Sequence, residues 1–172
     1  MNMNLKKLAS AIDECNKHLK IISSDYGELK QVMPLTEKTF GNLNDSKTRL
    51  LDQFVFRSLK LQDAIGKRLF PELFLSLEDE MRPFIDILNR DETLGTTIPR
   101  NEWLFLIKLR NEFLHECSSM TMENAESINN LFDKVHYMYD TYITIKNYSL
   151  SKFDYLKGNA SHFQTPSFPA NN

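Results

Sequence analysis

Glycine and proline are scarce in this chain: 5 Gly and 6 Pro in 172 residues, with neither between Arg100 and Lys157. A sheet protein needs turn signals every 8 to 12 residues or so, and long stretches without them leave the helix as the structure that can be continued. Apolar spacing agrees. Leu5, Leu8, Ile12, Leu19 and Ile22 share one stripe and predict a first helix over roughly Met3 to Ile22, punctuated by Ser23, Ser24 and Asp25. Leu50, Phe54, Leu61, Ile65 and Leu69 sustain a second long helix until Pro71 interrupts it. A shorter helix around Met81 to Arg90 leads to a loop at Leu94, Gly95, Thr96 and Thr97. Pro99 suits the first turn of the next helix, which runs to about His115 with Trp103, Ile107, Arg110 and Leu114 along one side. Thr121 caps a last helix in which Ile128, Leu131, Val135, Met138, Tyr142 and Ile145 recur on one face. The expectation is an all-α, up-and-down bundle of about five helices over residues 1–157. Residues 158–172, with two prolines and no acid, lysine or arginine, are expected to form a disordered tail.

Length and charge narrow the function classes. At about 100 to 200 residues per domain, this is one domain with a modest core. Lys and Arg total 21 against 23 Asp and Glu, so the net charge of −2 excludes a generally basic nucleic-acid binder but not a local basic face. No run approaches the ~20 apolar residues of a membrane span, and the start of the chain lacks the apolar segment of a secretion signal. Two cysteines, Cys15 and Cys117, suit a reducing compartment. A cytoplasmic protein is expected, with no membrane partner.

Two constellations could carry chemistry. Gln53, Arg57, Lys60 and Asp63 stack on one face of the second helix, within a stretch from Lys47 to Arg68 that holds six basic residues and two acids, +4 in all. The plainer reading is a solvated face with weak ion pairs. The functional reading makes Arg57 and Lys60 phosphate ligands for RNA. The second constellation is Arg110, Asn111 and His115. Asn111 and His115 share a helical face, while Arg110 and His115 are about 140° apart around the axis. A single helix therefore makes a poor site of them, but two copies across a dimer axis would bring two arginines and two histidines into one cleft. RNA cleavage needs a base for the ribose 2′-hydroxyl, an acid for the leaving oxygen and a fixed cation for the phosphoryl charge. Histidine and arginine fit those roles. The plainer reading has Arg110 paired with a nearby acid and His115 at the helix C-terminus, where a cation is favoured. A zinc site from Cys15, His18, His115 and Cys117 has acceptable ligand types but lacks the usual knuckle loops. No metal or other cofactor is expected.

Arg110-Asn111-x-x-x-His115 resembles the R-x(4–6)-H signature of HEPN domains, in the form found in HepT-like toxins. The helix from Leu51 to Phe70 carries Asp52, Arg57, Lys60-Leu61-Gln62-Asp63, Gly66 and Leu69-Phe70. It is similar to the D-x-x-x-x-R-x-x-K-L-Q-D-x-x-G-x-x-L-F helix of a HEPN branch encoded beside minimal nucleotidyltransferases. Asp86 to Arg90 and Glu102-Trp103 also resemble that branch, so the likeness runs from about Tyr26 to Cys117. It implies a homodimeric bundle acting as a metal-independent endoribonuclease toxin with a nucleotidyltransferase antitoxin. Arg110 and His115 would be the catalytic pair, and Asn111 the polar residue after the arginine. The alternative is a non-catalytic, nucleotide-binding partner subunit of such a nucleotidyltransferase. One departure stands out: Cys117 occupies the position where HepT-like toxins commonly carry the tyrosine their partner adenylylates. Sequestration, or modification of Tyr137 or Tyr139, would then replace that route.

Overall fold

The computed structural model describes residues 3–77, 99–115 and 121–170. Helix α1 spans Met3–Leu29, α2 Glu37–Gly41 and α3 Asp45–Ala64; a π-helical turn at Ile65–Leu69 leads into α4, Phe70–Ser76. Beyond it lie α5, Arg100–His115; a 3₁₀ turn, Met122–Asn124; α6, Ala125–Lys152; and α7, Asp154–Gly158. The described residues are all-helical, without a strand, and no helix among them is long and apolar enough to cross a membrane.

The stripe predicted for α1 is its buried face: Leu8, Ile12, Leu19 and Ile22 are sealed from solvent and packed against α3, α4 and α6. The helix does not end at Ile22, however. Ser23, Ser24 and Asp25 continue it to Leu29 because two of them find partners elsewhere in the fold. Asp25 receives both of its hydrogen bonds from Gln53 Nε2, at 3.0 and 3.1 Å, and Ser23 Oγ donates to the Ser167 carbonyl at 2.6 Å. Local preference of such residues for turns is overridden when their side chains are satisfied at long range.

Pro71 does not stop the second long helix either. The preceding turn widens so that Phe70 N–H donates to the Ile65 carbonyl, five residues back, and Pro71 falls in the first turn of α4. There its missing N–H is tolerated and the wider turn relieves the ring's clash with the preceding carbonyl.

The threonine predicted to cap the last helix instead caps the 3₁₀ turn that leads directly into it. Thr121 and Asn124 form a reciprocal capping box, and Ile128, Leu131, Val135, Met138, Tyr142 and Ile145 are all buried along α6. Tyr142 sits in the centre of the molecule with its hydroxyl 2.7 Å from Asn16 Oδ1. The expected helix around Met81 to Arg90 and the loop at Leu94 to Thr97 lie outside the described residues.

Residues 158–170, expected to be disordered, are instead laid along α1 and α6. Phe163 is 2% exposed. Phe168 packs against Tyr26, His136 and Tyr139, with ring centroids 4.9 to 5.4 Å apart. The extended backbone is satisfied from outside: His136 Nε2 bonds the Pro169 carbonyl at 2.8 Å and Lys30 Nζ donates to the Ala170 carbonyl at 2.9 Å. The buried Lys146 ammonium donates to the Thr165 hydroxyl. Two aromatic anchors and these carbonyl bonds offset the ordering entropy that the segment's polar composition suggested would win.

Phe163→Ala is therefore expected to cost about 3 to 5 kcal/mol of unfolding free energy, as for a buried core phenylalanine. Urea denaturation that returned wild-type stability would place the segment outside the cooperative fold.

Candidate functional site

Helix α5 is apolar on more than one side, and the structure selects Trp103, Leu106, Leu109 and Phe113 as its buried face against α6. This corrects the stripe read through Ile107, Arg110 and Leu114 by about one residue of rotation: Leu114 is 59% exposed and Leu104 is exposed as well. Both stripes satisfy the three-and-four spacing, and only packing against α6 distinguishes them.

The rotation decides where the motif residues go. Arg110 lies between the buried and solvent faces, its side chain 22% exposed, and reaches across to α3. Its Nε donates to Asp63 Oδ1 at 3.0 Å and its Nη2 to Asp63 Oδ2 at 3.2 Å, a two-pronged arrangement that fixes the plane of the guanidinium. Lys67 Nζ approaches the same Oδ1 at 2.8 Å. Burial alone would raise the Asp63 carboxyl; hydrogen bonds from Lys67 and Arg110 outweigh it and hold the group below the ordinary carboxylate value. The pairing predicted for Arg110 with a nearby acid is thus present. Of the five N–H groups on a guanidinium, Asp63 takes two, and the other three have no partner among the described residues.

Asn111 and His115 are exposed on α5, one helical turn apart. Glu112, by contrast, is engaged within the protomer: Ser127 Oγ donates to it at 3.0 Å and Lys108 lies 3.7 Å away. Within one chain the helix thus presents Asn111 and His115 outward and holds Arg110 sideways.

Three residues of the polar stripe of α3 reach neighbouring helices while the stripe stays partly open to solvent. Gln53 holds Asp25, Asp63 holds Arg110, and Arg57 Nη1 lies 3.5 Å from Nδ1 of the buried His18. Lys60 is exposed. Burial, then the adjoining Arg57 cation, lowers the pKa of His18 below its ordinary value, so the neutral ring faces the guanidinium as an acceptor.

Of the four residues weighed as a zinc site, Cys15, His18 and His115 are not brought together, and among the described residues no group of three or more Cys, His, Asp or Glu side chains forms a metal cage. Cys15 is sealed in the core, and burial pushes its thiol pKa up, against the deprotonation that a metal ligand needs. Cys117 lies outside the described residues, as does Asp86 to Arg90. Of the two tyrosines considered for modification, Tyr137 donates to the Pro99 carbonyl at 2.9 Å and burial raises its pKa to about 12; Tyr139 packs on Phe168.

Sequence reasoning missed Phe56, which is 53% exposed on α3. Arg57 and Lys60 each lie 5.7 Å from its ring centroid. The signal was available: an aromatic flanked by cations one and four positions on.

No protein-family model, curated protein or solved structure matches this chain.

His18 carries a pH prediction. Its folded-state pKa is lowered from 6.5, so below about that pH the unfolded chain takes up a proton that the folded chain refuses. Its contribution is therefore fully present above 6.5, and stability falls as the pH drops below that value until the folded imidazole also protonates. Urea midpoints measured from pH 7.5 downward should show this slope in the wild type and its reduction in His18→Gln; parallel profiles would contradict the buried, neutral ring.

Proposed function

We propose that the chain is a HEPN-type endoribonuclease toxin, acting as a homodimer and neutralised by a minimal nucleotidyltransferase antitoxin. The observation that carries the reading is the state of Arg110: a guanidinium fixed in plane by Asp63, with three N–H groups left to point at an anion, on the same helix as an exposed His115. Fixed donors cost no reorganisation when charge develops on a phosphoryl oxygen. In this reading Asp63 positions Arg110, and the exposed Leu114 beside His115 belongs to the face that meets the second copy.

His115 of one protomer takes the ribose 2′-hydroxyl proton as that oxygen attacks the adjacent phosphorus. The bond from phosphorus to the 5′-oxygen breaks, and the second protomer's histidine protonates the leaving oxygen. Arg110 stabilises the charge on the non-bridging oxygens, and Asn111 orients the imidazole or the phosphate. The nucleophile is the substrate's own hydroxyl, so no metal-activated water is required.

The engaged fork of Arg110 also favours a second reading, a non-catalytic nucleotide-binding subunit of a nucleotidyltransferase. One comparison separates the two. Under the nuclease reading the wild-type dimer cleaves RNA in EDTA, and His115→Ala lowers the rate by about 10² to 10⁴ while the exposed position leaves folding unchanged. Cleavage that persists in a folded His115→Ala dimer, or that needs added metal, would overturn the assignment. A wild-type dimer that binds nucleotides without cleaving RNA would establish the second reading.

A further inference from the structure

Helix α3 buries Phe54, Val55, Ser58 and Leu61 but leaves Phe56 standing in solvent. Folding leaves much of that ring's apolar surface unburied and open to an occupant. Its surroundings indicate which. The Arg57 guanidinium and the Lys60 ammonium both lie 5.7 Å from the ring centroid. Neither has a carboxylate partner among the described residues, whereas nearby Lys67 is paired with Asp63, Arg68 with Glu14 and Lys47 with Glu28. The exposed Asp52 sits one turn before Phe56; Asp63 is already held by Lys67 and Arg110, and Asp25, the acid whose field reaches Arg57, is hydrogen-bonded to Gln53, so neither cation beside the ring is in an ion pair among the described residues and both can meet an anion from outside. Arg57 is steadied from behind by the buried His18 ring, which costs it no charge.

We infer that Phe56, Arg57 and Lys60 form a binding site for single-stranded nucleic acid, with an unpaired base stacked on the Phe56 ring and the flanking phosphates on the two cations. An aromatic platform between cations suits this ligand because every base has a π-face and every linkage an anion. Duplexes do not fit: their base faces are covered by their neighbours. Asp63, which holds Arg110, is seven residues further along the helix, about 10 Å along its axis. A strand seated at Phe56 is thus within reach of the motif helix, and that this strand is an RNA substrate rests on the nuclease reading; the binding itself does not.

The test uses the full-length protein and a short 2′-O-methyl oligoribonucleotide carrying one 2-aminopurine, which cannot be cleaved by 2′-hydroxyl attack. Anisotropy reads affinity, and 2-aminopurine fluorescence reads stacking. The wild type should bind the single strand in preference to the same sequence as a duplex and to a nucleoside monophosphate. Phe56→Ala should weaken binding by about tenfold or more and abolish the stacking signal, with the salt dependence unchanged. Phe56→Trp should restore both. Arg57→Ala with Lys60→Ala should flatten the slope of log affinity against log salt by about 1.4, two contacts at roughly 0.7 each.

Wild-type affinity in Phe56→Ala would overturn the inference, as would a preference for the duplex or the mononucleotide. Dissociation of the Phe56→Ala dimer with oligonucleotide binding intact would also overturn it, and would assign the ring to a contact with a second copy. Binding without cleavage of ordinary RNA would sink the nuclease reading and leave this site standing; cleavage and oligonucleotide binding both untouched by Phe56→Ala would do the reverse.

Discussion

Burial of the α1 stripe is the constraint on which the rest of the molecule hangs. From Leu8 to Leu29 the helix gives up its apolar side completely, to α3 and α4 along one flank and to α6 along the other. Each fully buried leucine or isoleucine contributes about 1.5 to 3 kcal/mol relative to exposure. The same packing fixes the rotation of α3 about its axis, since Leu51, Phe54, Val55 and Leu61 face inward with it. Once that rotation is set, the polar stripe of α3 is delivered to three places: Gln53 to Asp25, Arg57 to His18 and Asp63 to Arg110. The placement of Arg110 on the far helix therefore depends on apolar packing at the near one.

The parts of the fold legible in the sequence are those decided locally. The α6 face repeats at helical spacing, and the 3₁₀ turn before it starts at a threonine with its capping partner three residues on, so neither feature needed tertiary information. The parts that were not legible are those in which a distant partner reverses a local preference. Ser23 and Asp25 look like helix breakers until the tail carbonyl and Gln53 satisfy them. Pro71 looks like a stop until a π turn makes room for it. The last residues look too polar to order because their bonds run through backbone carbonyls, which side-chain composition does not reveal.

The site divides in the same way. The stripe from Gln53 to Asp63 was visible as one face, and a partner acid for Arg110 was anticipated, because both follow from charge and helical geometry. That Asp63 is the partner could not be read: it requires the approach of α3 to α5. The wrong side of α5 was favoured because Trp103, Ile107, Arg110 and Leu114 made a competing stripe, and the exposed Leu114 leaves an apolar side chain beside His115. An aromatic ring, two cations without a carboxylate partner among the described residues and an arginine clamped by Asp63 support the proposed reading of a local polyanion site in a chain whose overall charge is negative.

Arg110 and His115 are proposed to promote attack by a ribose 2′-hydroxyl on the neighbouring phosphate. The nature of the product ends tests it most directly. RNA incubated with the purified wild-type protein in EDTA should yield fragments ending in 2′,3′-cyclic phosphate, with 5′-hydroxyl on the downstream piece, read by mass spectrometry. Fragments ending in 3′-hydroxyl, which signal attack by water from the other side of the linkage, or RNA left whole by the folded dimer, would contradict it.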